Sequence, residues 1–221
     1  KIDKNFREHL AAKAFSYTAR YDVIINRFFH ERFEKDNFPD VYNFTFEKNQ
    51  NLRYGENPHQ QAALYKPFLV MESGVANAKQ LQGKQLSYNN ILDADEALAI
   101  IKDFDKPTAA VIKHNNPSGV ASAKTIVEAF KKAHQADPKS AFGGIVALNK
   151  PCDAQTANLM LPLFLEVVIC PRFEENALKM LSKKKNLRLL ETGKLVANYE
   201  APEARRIAAG LLVQTRQYPS I

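Results

Sequence analysis

"TAAVIKHNNPSG", residues 108–119, joins a short apolar run to a loop rich in Asn, Pro and Gly. The run predicts a buried β-strand that ends at Lys113, and "NNPSG" predicts a turn. Thr125 and Glu128 then match a capping box, which predicts a helix through about His134. Strand, turn and helix in this order are typical of an α/β domain.

The same alternation continues along the chain. "IVALN" (145–149) and "LEVVICP" (165–171) predict strands, and "DAQTANLMLPLF" (153–164) predicts a helix broken near Pro162. A helix at about 174–183 and apolar runs in "NLRLLET" and "RIAAGLLVQ" complete the series. From residue 51 onward, the sequence therefore predicts an α/β domain with a largely buried, mixed or parallel sheet.

The N-terminal segment has a different pattern. Apolar or aromatic residues spaced by three and four predict an amphipathic helix that buries one face: Leu10, Ala14, Tyr17, Tyr21, Ile24 and Phe28. The charged stretch that follows loses this period and predicts a linker ending in a short strand, "VYNFTFEK" (41–48). Residues 1 to about 35 are therefore expected to belong to a separate structural unit.

Composition narrows the class of protein. The 221 residues carry a net charge of +7, which favours anionic partners such as phosphorylated metabolites, polyglutamate tails or nucleic acid. The densest basic run, "LSKKKNLR" (181–188), has no interleaved aromatic residues, so nucleic acid is the least favoured of these. Neither a membrane span nor a signal peptide is predicted, so we expect an intracellular, cytoplasmic protein.

Metal and disulfide sites are not predicted. Cys152 and Cys170 lie 18 positions apart outside any CxxC motif, and the five histidines are scattered. Two buried, reduced thiols are the simplest interpretation.

Lys113 and His114 form the first candidate catalytic pair. An adjacent ammonium disfavours the imidazolium form, so His114 would be available as a base while Lys113 stabilises negative charge on a substrate. Neighbouring residues of a strand point to opposite faces, so the pair can act together only if the strand ends at Lys113. The alternative is an incidental polar strand end.

Three polar loops are candidate ligand-binding segments. "KHNNPSG" follows the first strand and "CPRFEEN" (170–176) follows the third, at the carboxyl ends where α/β sheets usually bind ligands. "DPKSAFGG" (137–144) precedes the second strand and is expected at the opposite edge, unless its glycines wrap round. The glycine pair predicts either a tight turn or a close approach of backbone N–H groups to a ligand.

Individual polar residues add further candidates. Arg53 beside Tyr54 suits a phosphate or a flat heterocycle, although a polar turn is the alternative. Asp93 and Asp95 are expected in the first turn of a helix, where its dipole favours carboxylates. This role would leave Tyr88, Asn89 and Asn90 free to bind a ligand.

Glu166 interrupts an apolar strand and therefore needs a partner. It either faces the edge of the sheet or accepts hydrogen bonds from a bound molecule.

Four motifs in this order resemble the transformylase domain of the family that combines AICAR (5-aminoimidazole-4-carboxamide ribonucleotide) transformylase with IMP cyclohydrolase. They are "LRYGENPHQ", "GKQLSYNNILDADEAL", "VIKHNNPSG" and "DPKSAFGGIVALN". "LAAKAFSYTARYDVIINRFF" (10–29) also resembles the last helix of the cyclohydrolase domain, a domain similar to methylglyoxal synthase.

The resemblance implies a domain plan and a fold. Residues 1–35 would be the terminal cyclohydrolase helix, 36–50 a linker, and 51–221 the first part of the transformylase domain. The fold would have cytidine-deaminase-like α/β/α layers around a mixed sheet, without zinc.

The resemblance also implies the roles of individual residues. Lys113 would stabilise the transition state, and His114 would accept a proton and contact the substrate. The remaining implied contacts to the AICAR ribonucleotide are Arg53, toward the phosphate, Tyr54 and Asn90, together with Gly143 and Glu166 at the base.

The implied activity is transfer of a formyl group from 10-formyltetrahydrofolate to the 5-amino group of AICAR in purine biosynthesis. No metal is required, a homodimer is expected, and cyclohydrolase activity would belong only to a full-length parent. The alternative is a non-catalytic fragment that binds AICAR or supports assembly.

Overall fold

A computed structural model describes residues 2–34, 36–68 and 72–217. In chain order the elements are α1 (Lys4–Phe29), β1 (Phe46–Leu52), β2 (Ala62–Pro67), β3 (Lys79–Gln82), α2 (Tyr88–Lys102), β4 (Thr108–Lys113), β5 (Asn116–Ser122), α3 (Ile126–Ala136), β6 (Gly144–Leu148), α4 (Ala154–Met160), β7 (Leu165–Cys170), α5 (Glu175–Leu181), β8 (Arg188–Glu191), β9 (Glu203–Ile207) and β10 (Gly210–Gln214). A π-helical turn, His30–Glu34, extends α1, and a 3-10 turn, Val75–Asn77, precedes β3.

The chain divides into two compact units. The first comprises Lys1–Glu47 and Tyr199–Tyr218, and the second is built on Lys48–Asn198. The sequence predicted a separate N-terminal unit but not that the segment from residue 199 would join it. The assignment of these segments to named domains of the family stays a prediction.

In the first unit, α1 begins where the Asp3 carboxylate accepts a hydrogen bond from the Phe6 N–H at 2.7 Å. The predicted helix is confirmed, but no residue of α1 is buried among the residues that the structure describes. Most of its predicted apolar stripe is therefore exposed, with Tyr17 63% and Tyr21 59% accessible to solvent, while Ile24 is half-buried. Strands β9 and β10 form an antiparallel hairpin in the same unit.

The second unit contains a six-stranded mixed sheet in the order β3-β8-β7-β6-β4-β5. Strands β6, β7 and β8 are parallel, whereas β3, β4 and β5 each pair antiparallel with their neighbours. The predicted mixed, largely buried sheet is confirmed. Strands β1 and β2 form a separate two-stranded sheet.

Helices cover both faces of the six-stranded sheet. On one face, Val111, Val146 and Val168 pack with residues of α3, α4 and α5. On the other face, Ile112 and Ile145 pack with residues of α2. Because successive residues of β4, β6 and β7 alternate between the two clusters, each of these strands is apolar throughout its middle.

Several predicted elements end close to their expected positions. Helix α3 begins after Thr125, whose hydroxyl accepts from the Glu128 N–H at 3.3 Å, and α4 ends at Met160, shortly before Pro162. The strand predicted at 41–48 is wrong in position, since β1 begins only at Phe46. The aromatic residues of that segment instead contact one another, with the Tyr42 and Phe44 rings 5.0 Å apart.

Candidate functional site

The antiparallel pairing of β4 with β6 decides where the candidate residues meet. Ile112 lies opposite Ile145, so the end of β4 and the beginning of β6 share one edge of the sheet. The expectation that "DPKSAFGG" would lie at the opposite edge is therefore wrong. A loop that precedes one of two antiparallel strands lies beside the loop that follows the other. We call the side of the sheet where β4 ends and β6, β7 and β8 begin the Lys113 edge. The name refers to this row of strand ends and not to an outermost strand.

The turn after β4 consists of two residues. His114 and Asn115 have φ values of 54° and 58°, and Lys113 pairs with Asn116 across the hairpin. Two successive positive φ angles are the signature of a tight type I′ hairpin turn, and His and Asn tolerate this region better than most residues. The predicted loop "NNPSG" is wrong, because Asn116–Ser122 forms β5.

The predicted end of the strand at Lys113 is confirmed. His114 is therefore outside the alternating register, and its side chain is exposed. Its backbone carbonyl accepts a hydrogen bond from Asn116 Nδ2 at 2.9 Å. Within the described ranges, the His114 imidazole makes no hydrogen bond or ion pair, so it is available to a ligand.

Helix α2 supports the turn. Asp93 Oδ1 accepts a hydrogen bond from the Asn115 N–H at 2.8 Å. The expected first-turn role of Asp93 and Asp95 is wrong, because α2 begins at Tyr88, after the Ser87 cap, and both aspartates lie in its second turn. Asp93 instead ties α2 to the hairpin that carries His114.

Asn90 is part of the cap of α2. Its Oδ1 accepts from the Ser87 N–H at 3.2 Å, and its own N–H donates to Ser87 Oγ at 3.2 Å. This reciprocal capping box uses the side-chain oxygen of Asn90 and leaves its Nδ2 as a donor. Asn90, a candidate substrate-binding residue, therefore also caps the N-terminus of α2.

Lys113 reaches across the edge to the loop before β6. Its Nζ donates to the carbonyl of Phe142 and lies 6.0 Å from the centroid of the Phe142 ring. The Phe142 ring is 64% exposed and lies 5.0 Å from the Phe164 ring, which is 51% exposed. The ammonium is thus held at the surface beside two accessible aromatic rings.

Gly143 has a conformation that explains why glycine occupies this position. Its φ is +71°, and a Cβ there would lie 3.3 Å from Phe164 Cε1 and 3.8 Å from Lys113 Nζ. Its N–H donates to the Phe164 carbonyl at 2.8 Å. Of the two predicted alternatives for the glycine pair, the tight turn is the one that the structure contains. The Gly143 N–H is already bonded to protein.

Glu166 lies on the neighbouring strand β7. Its Oε2 accepts from Arg188 Nη1 at 2.5 Å, so the partner that this carboxylate needs is a residue of β8. The carboxylate side chain is 35% exposed, whereas that of Arg188 is 12% exposed. Glu166 is therefore both paired and accessible at the Lys113 edge.

Arg53 and Tyr54 lie against each other, with the guanidinium carbon 5.5 Å from the centroid of the Tyr54 ring. Their loop is joined to the beginning of α2 by a hydrogen bond of 3.5 Å from Asn89 Nδ2 to the Glu56 carbonyl. Through α2 and Asp93, this loop is connected to the hairpin turn. All seven candidate residues therefore lie on elements that contact one another. The loop of Arg53 and Tyr54 is connected to the others through α2.

At the opposite end of the sheet, Cys152, Cys170 and Phe173 are buried in one apolar cluster, and we call this end of the sheet the closed end. Cys152 pairs with Phe173 as an isolated parallel bridge, and the Cys152 N–H donates to the Arg172 carbonyl at 2.9 Å. Burial, together with the nearby carboxylates of Asp153 and Glu174, raises the pKa of the Cys152 thiol to about 12. Burial also raises the pKa of the Cys170 thiol. The prediction of two buried, free thiols is confirmed.

The described residues contain neither a group of side chains placed to bind a metal ion nor a helix able to span a membrane. No group of three or more His, Cys, Asp or Glu side chains is placed to hold a metal ion in those parts of the chain. Nor does any helix within the same ranges have the length and apolar character needed to cross a membrane.

Sequence analysis missed Arg188, Phe142 and Phe164. Arg188 stands at the end of the basic run "LSKKKNLR", which the sequence analysis weighed as a binding segment for nucleic acid. The one available signal was the need of Glu166 for a cationic partner. The two phenylalanines become neighbours only through the pairing of β6 with β7.

Comparisons with known proteins place the chain. A model of the AICARFT/IMPCHase bienzyme family matches residues 1–221. The chain is 51% identical over 214 residues to the "Bifunctional purine biosynthesis protein PurH" of Caldicellulosiruptor saccharolyticus. The proteins of the same name from Oceanobacillus iheyensis and Listeria monocytogenes are 48% and 50% identical over 209 and 208 residues.

Nearly all of this chain is aligned, whereas less than half of each relative is. These alignments cover 94–95% of this chain but 40–41% of each relative, so the chain spans about two fifths of the length of these proteins. A solved structure, "Acinetobacter baumannii RibD, form 2", is 11% identical and covers 44% of this chain and 33% of its own, with a TM-score of 0.34. That similarity is too low to carry an argument. On the family match and on identities near 50%, the chain belongs to the AICARFT/IMPCHase bienzyme family.

Proposed function

We propose that this chain carries the residues that transfer a formyl group from 10-formyltetrahydrofolate to the 5-amino group of AICAR in purine biosynthesis. The observation that carries the proposal is the arrangement at the Lys113 edge. The Lys113 ammonium and the accessible His114 imidazole follow one another at the end of β4, beside the Gly143 turn. One strand, β6, separates β4 from β7, which carries Glu166. Family membership supports the choice of reaction.

The reaction needs a base because the 5-amino group is a poor nucleophile. Its lone pair is delocalised into the ring and the carboxamide. His114 would accept an amino proton as the new bond forms between the amino nitrogen and the formyl carbon. The bond from that carbon to N10 of the folate then breaks, and the same proton can be delivered to the departing nitrogen.

Lys113 would act on the oxygen of the formyl group. In the tetrahedral intermediate this oxygen carries negative charge, and a positioned ammonium stabilises it. Holding Lys113 Nζ against the Phe142 carbonyl restricts its position before the substrate arrives. The ammonium has three donors, so this hydrogen bond leaves two for the substrate.

The remaining candidates would bind the nucleotide. Arg53 offers a planar fork for the phosphate beside the Tyr54 ring, and Asn90 can still donate through Nδ2. Glu166 is suited to accept hydrogen bonds from the base, and the Gly143 turn would border it. The net charge of +7 fits two anionic substrates, a phosphate ester and a folate with glutamate carboxylates.

The direct test is to incubate the purified chain with AICAR and 10-formyltetrahydrofolate and to measure formylated nucleotide by mass spectrometry. We expect product from the unsubstituted chain and a loss of about 10²- to 10⁴-fold for His114→Ala, the range for a general base. His9→Ala on the exposed helix α1 is the matched control and should retain the full rate. Equal rates for His114→Ala and His9→Ala would remove His114 from the mechanism.

The second candidate function is binding of AICAR without transfer. It is favoured by the protein contacts already made by Lys113 Nζ, the Gly143 N–H and the Asn90 side-chain oxygen. Calorimetric titration with AICAR separates the two functions, since binding without any product would support this candidate and contradict catalysis by the chain. Sedimentation of the same sample tests the homodimer that we also propose.

A further inference from the structure

Arg188 is a largely enclosed cation at the Lys113 edge to which sequence analysis assigned no role. Its Nη1 donates to Glu166 Oε2 at 2.5 Å and also approaches the Glu166 carbonyl at 3.5 Å. The side chain is only 12% exposed, while that of Glu166 is 35% exposed. The arginine therefore lies behind the carboxylate, on its protein side.

The position of Arg188 is fixed by two neighbours. The parallel register pairs Arg188 with Val167, the residue after Glu166, so the two charged residues are adjacent on neighbouring strands. Gly83, with φ of +95°, packs against Arg188 so closely that a Cβ there would lie 2.7 Å from Arg188 Cα and 2.9 Å from Cγ. The backbone and the stem of Arg188 are thus restrained, and the guanidinium is held by its hydrogen bond to Glu166.

Arg188 donates to one oxygen of the Glu166 carboxylate and not to both. Among the described residues, Arg188 contacts only Oε2 of the carboxylate, and Oε1 has no hydrogen-bond partner. Arg188 Nε is buried and likewise has no partner within the described ranges. An arginine that approached Glu166 as a fork would occupy both oxygens, whereas this arrangement leaves Oε1 as an acceptor.

We propose that Arg188 is a positioning residue that holds Glu166 so that Oε1 accepts a hydrogen bond from an N–H group of the AICAR base. This inference rests on the proposed function, because it needs AICAR as the ligand. Arg188 acts through Glu166 and does not touch the substrate. Removing its charge releases the carboxylate, which can then rotate away from the base.

The test is a double-mutant cycle on AICAR binding, measured by isothermal titration calorimetry with the full chain. Arg188→Gln, Glu166→Gln and the double variant are compared with the unsubstituted protein, and thermal unfolding confirms that each is folded. We expect each single variant to bind about tenfold more weakly, in the range for losing a hydrogen bond to a charged group. The double variant should bind no more weakly than Glu166→Gln alone.

Two further variants make the cycle specific. Arg172→Gln is the matched control, since it removes an exposed arginine beyond the other end of β7 and should leave AICAR affinity unchanged. Arg188→Lys retains the charge without the planar fork and should recover part of the affinity lost in Arg188→Gln. Recovery by lysine would not follow if the residue only filled space.

The outcomes separate this inference from the function on which it rests. If the unsubstituted chain binds AICAR and Arg188→Gln binds it equally well, the inference is overturned and the proposed function stands. If the two single effects add in the double variant, Arg188 acts independently of Glu166 and the inference is again overturned. Failure of the unsubstituted chain to bind AICAR contradicts the proposed function itself, and the inference with it.

Discussion

The two ends of the six-stranded sheet differ in how their polar groups are used. At the Lys113 edge, Lys113 and Glu166 are held by protein partners yet remain partly accessible, and His114 is exposed in a left-handed turn. At the other end, Cys170 and Phe173 are buried, and the Phe173 N–H donates to Glu191 Oε2 at 3.2 Å. The Lys113 edge presents candidate polar side chains to solvent, whereas at the other end a buried thiol and a buried aromatic ring pack over the strand ends.

This difference reverses the usual rule for α/β sheets. Ligands normally bind beyond the carboxyl ends of parallel strands, which here is the closed end that carries "CPRFEEN". The candidate residues gather instead where the parallel strands begin, because β4 runs antiparallel to β6 and ends there. A single antiparallel strand is enough to move the candidate chemistry to the other edge.

Phe173→Ala should have the largest effect and should act on stability alone. The side chain is 6% exposed within the core, so its removal is expected to lower the free energy of unfolding by about 4 kcal/mol. Urea denaturation measures the loss. Formyl transfer per folded molecule should stay unchanged, and a selective loss of transfer would show that the closed end also contributes to the reaction.

Lys113→Met should give the opposite result. Loss of the ammonium is expected to reduce formyl transfer by about 10²- to 10³-fold, the range for one donor to a developing oxyanion. The free energy of unfolding should change by less than about 1.5 kcal/mol, because a single hydrogen bond to the Phe142 carbonyl is lost.

The control for this comparison is Lys179→Met, which removes an exposed lysine from α5. Product formation under saturating substrates is the measurement for both variants. If the two lysine variants had equal rates, Lys113 would have no part in the transfer.

Much of the fold follows from local patterns. The strands around Val111, Val146 and Val168 are short apolar runs, and the α3 cap at Thr125 is a local motif. The hairpin was missed because its turn residues are His114 and Asn115, a pair without the glycine that usually marks such turns. The capping box of Ser87 with Asn90 was missed because the two aspartates further along gave a competing signal.

The candidate site was predictable as a set of residues but not as an arrangement. Lys113 and His114 could be proposed together because the strand was expected to end between them, as it does. The contact of Lys113 with the Gly143 loop depends on strand pairing between distant segments, which local patterns do not specify. The same holds for Glu166 and Arg188, which are 22 positions apart.

Gly143→Ala tests how far the Lys113 edge depends on its turn. An alanine at φ of +71° is strained, and its Cβ would press on Phe164 at 3.3 Å. We expect the free energy of unfolding to fall by about 2 kcal/mol. Chemical denaturation is the measurement, and Gly193→Ala is the control, since it has a similar φ of +72° but open space around it. An equal loss in both variants would assign the effect to backbone conformation alone, without the contact to Phe164.

The smallest effect concerns the closed end and its dependence on pH. The Cys152 thiol has its pKa raised from 9.0 to about 12 by burial, so the folded state keeps its proton at pH values where the unfolded chain has lost it. The unfolded state then binds fewer protons, and stability falls as the pH rises above about 9.

Between about pH 8 and about pH 10, this one thiol should lower the free energy of unfolding by about 1.4 kcal/mol, close to the value of one pKa unit. Cys152→Ala removes the titrating group, so the difference between the variant and the unsubstituted chain gives its contribution together with its effect on the pKa of the neighbouring Cys170 thiol. Urea denaturation at the two pH values gives that difference. Identical pH dependence in both proteins would mean that the thiol ionises as readily in the folded state as in the unfolded chain, and the closed end would then admit water.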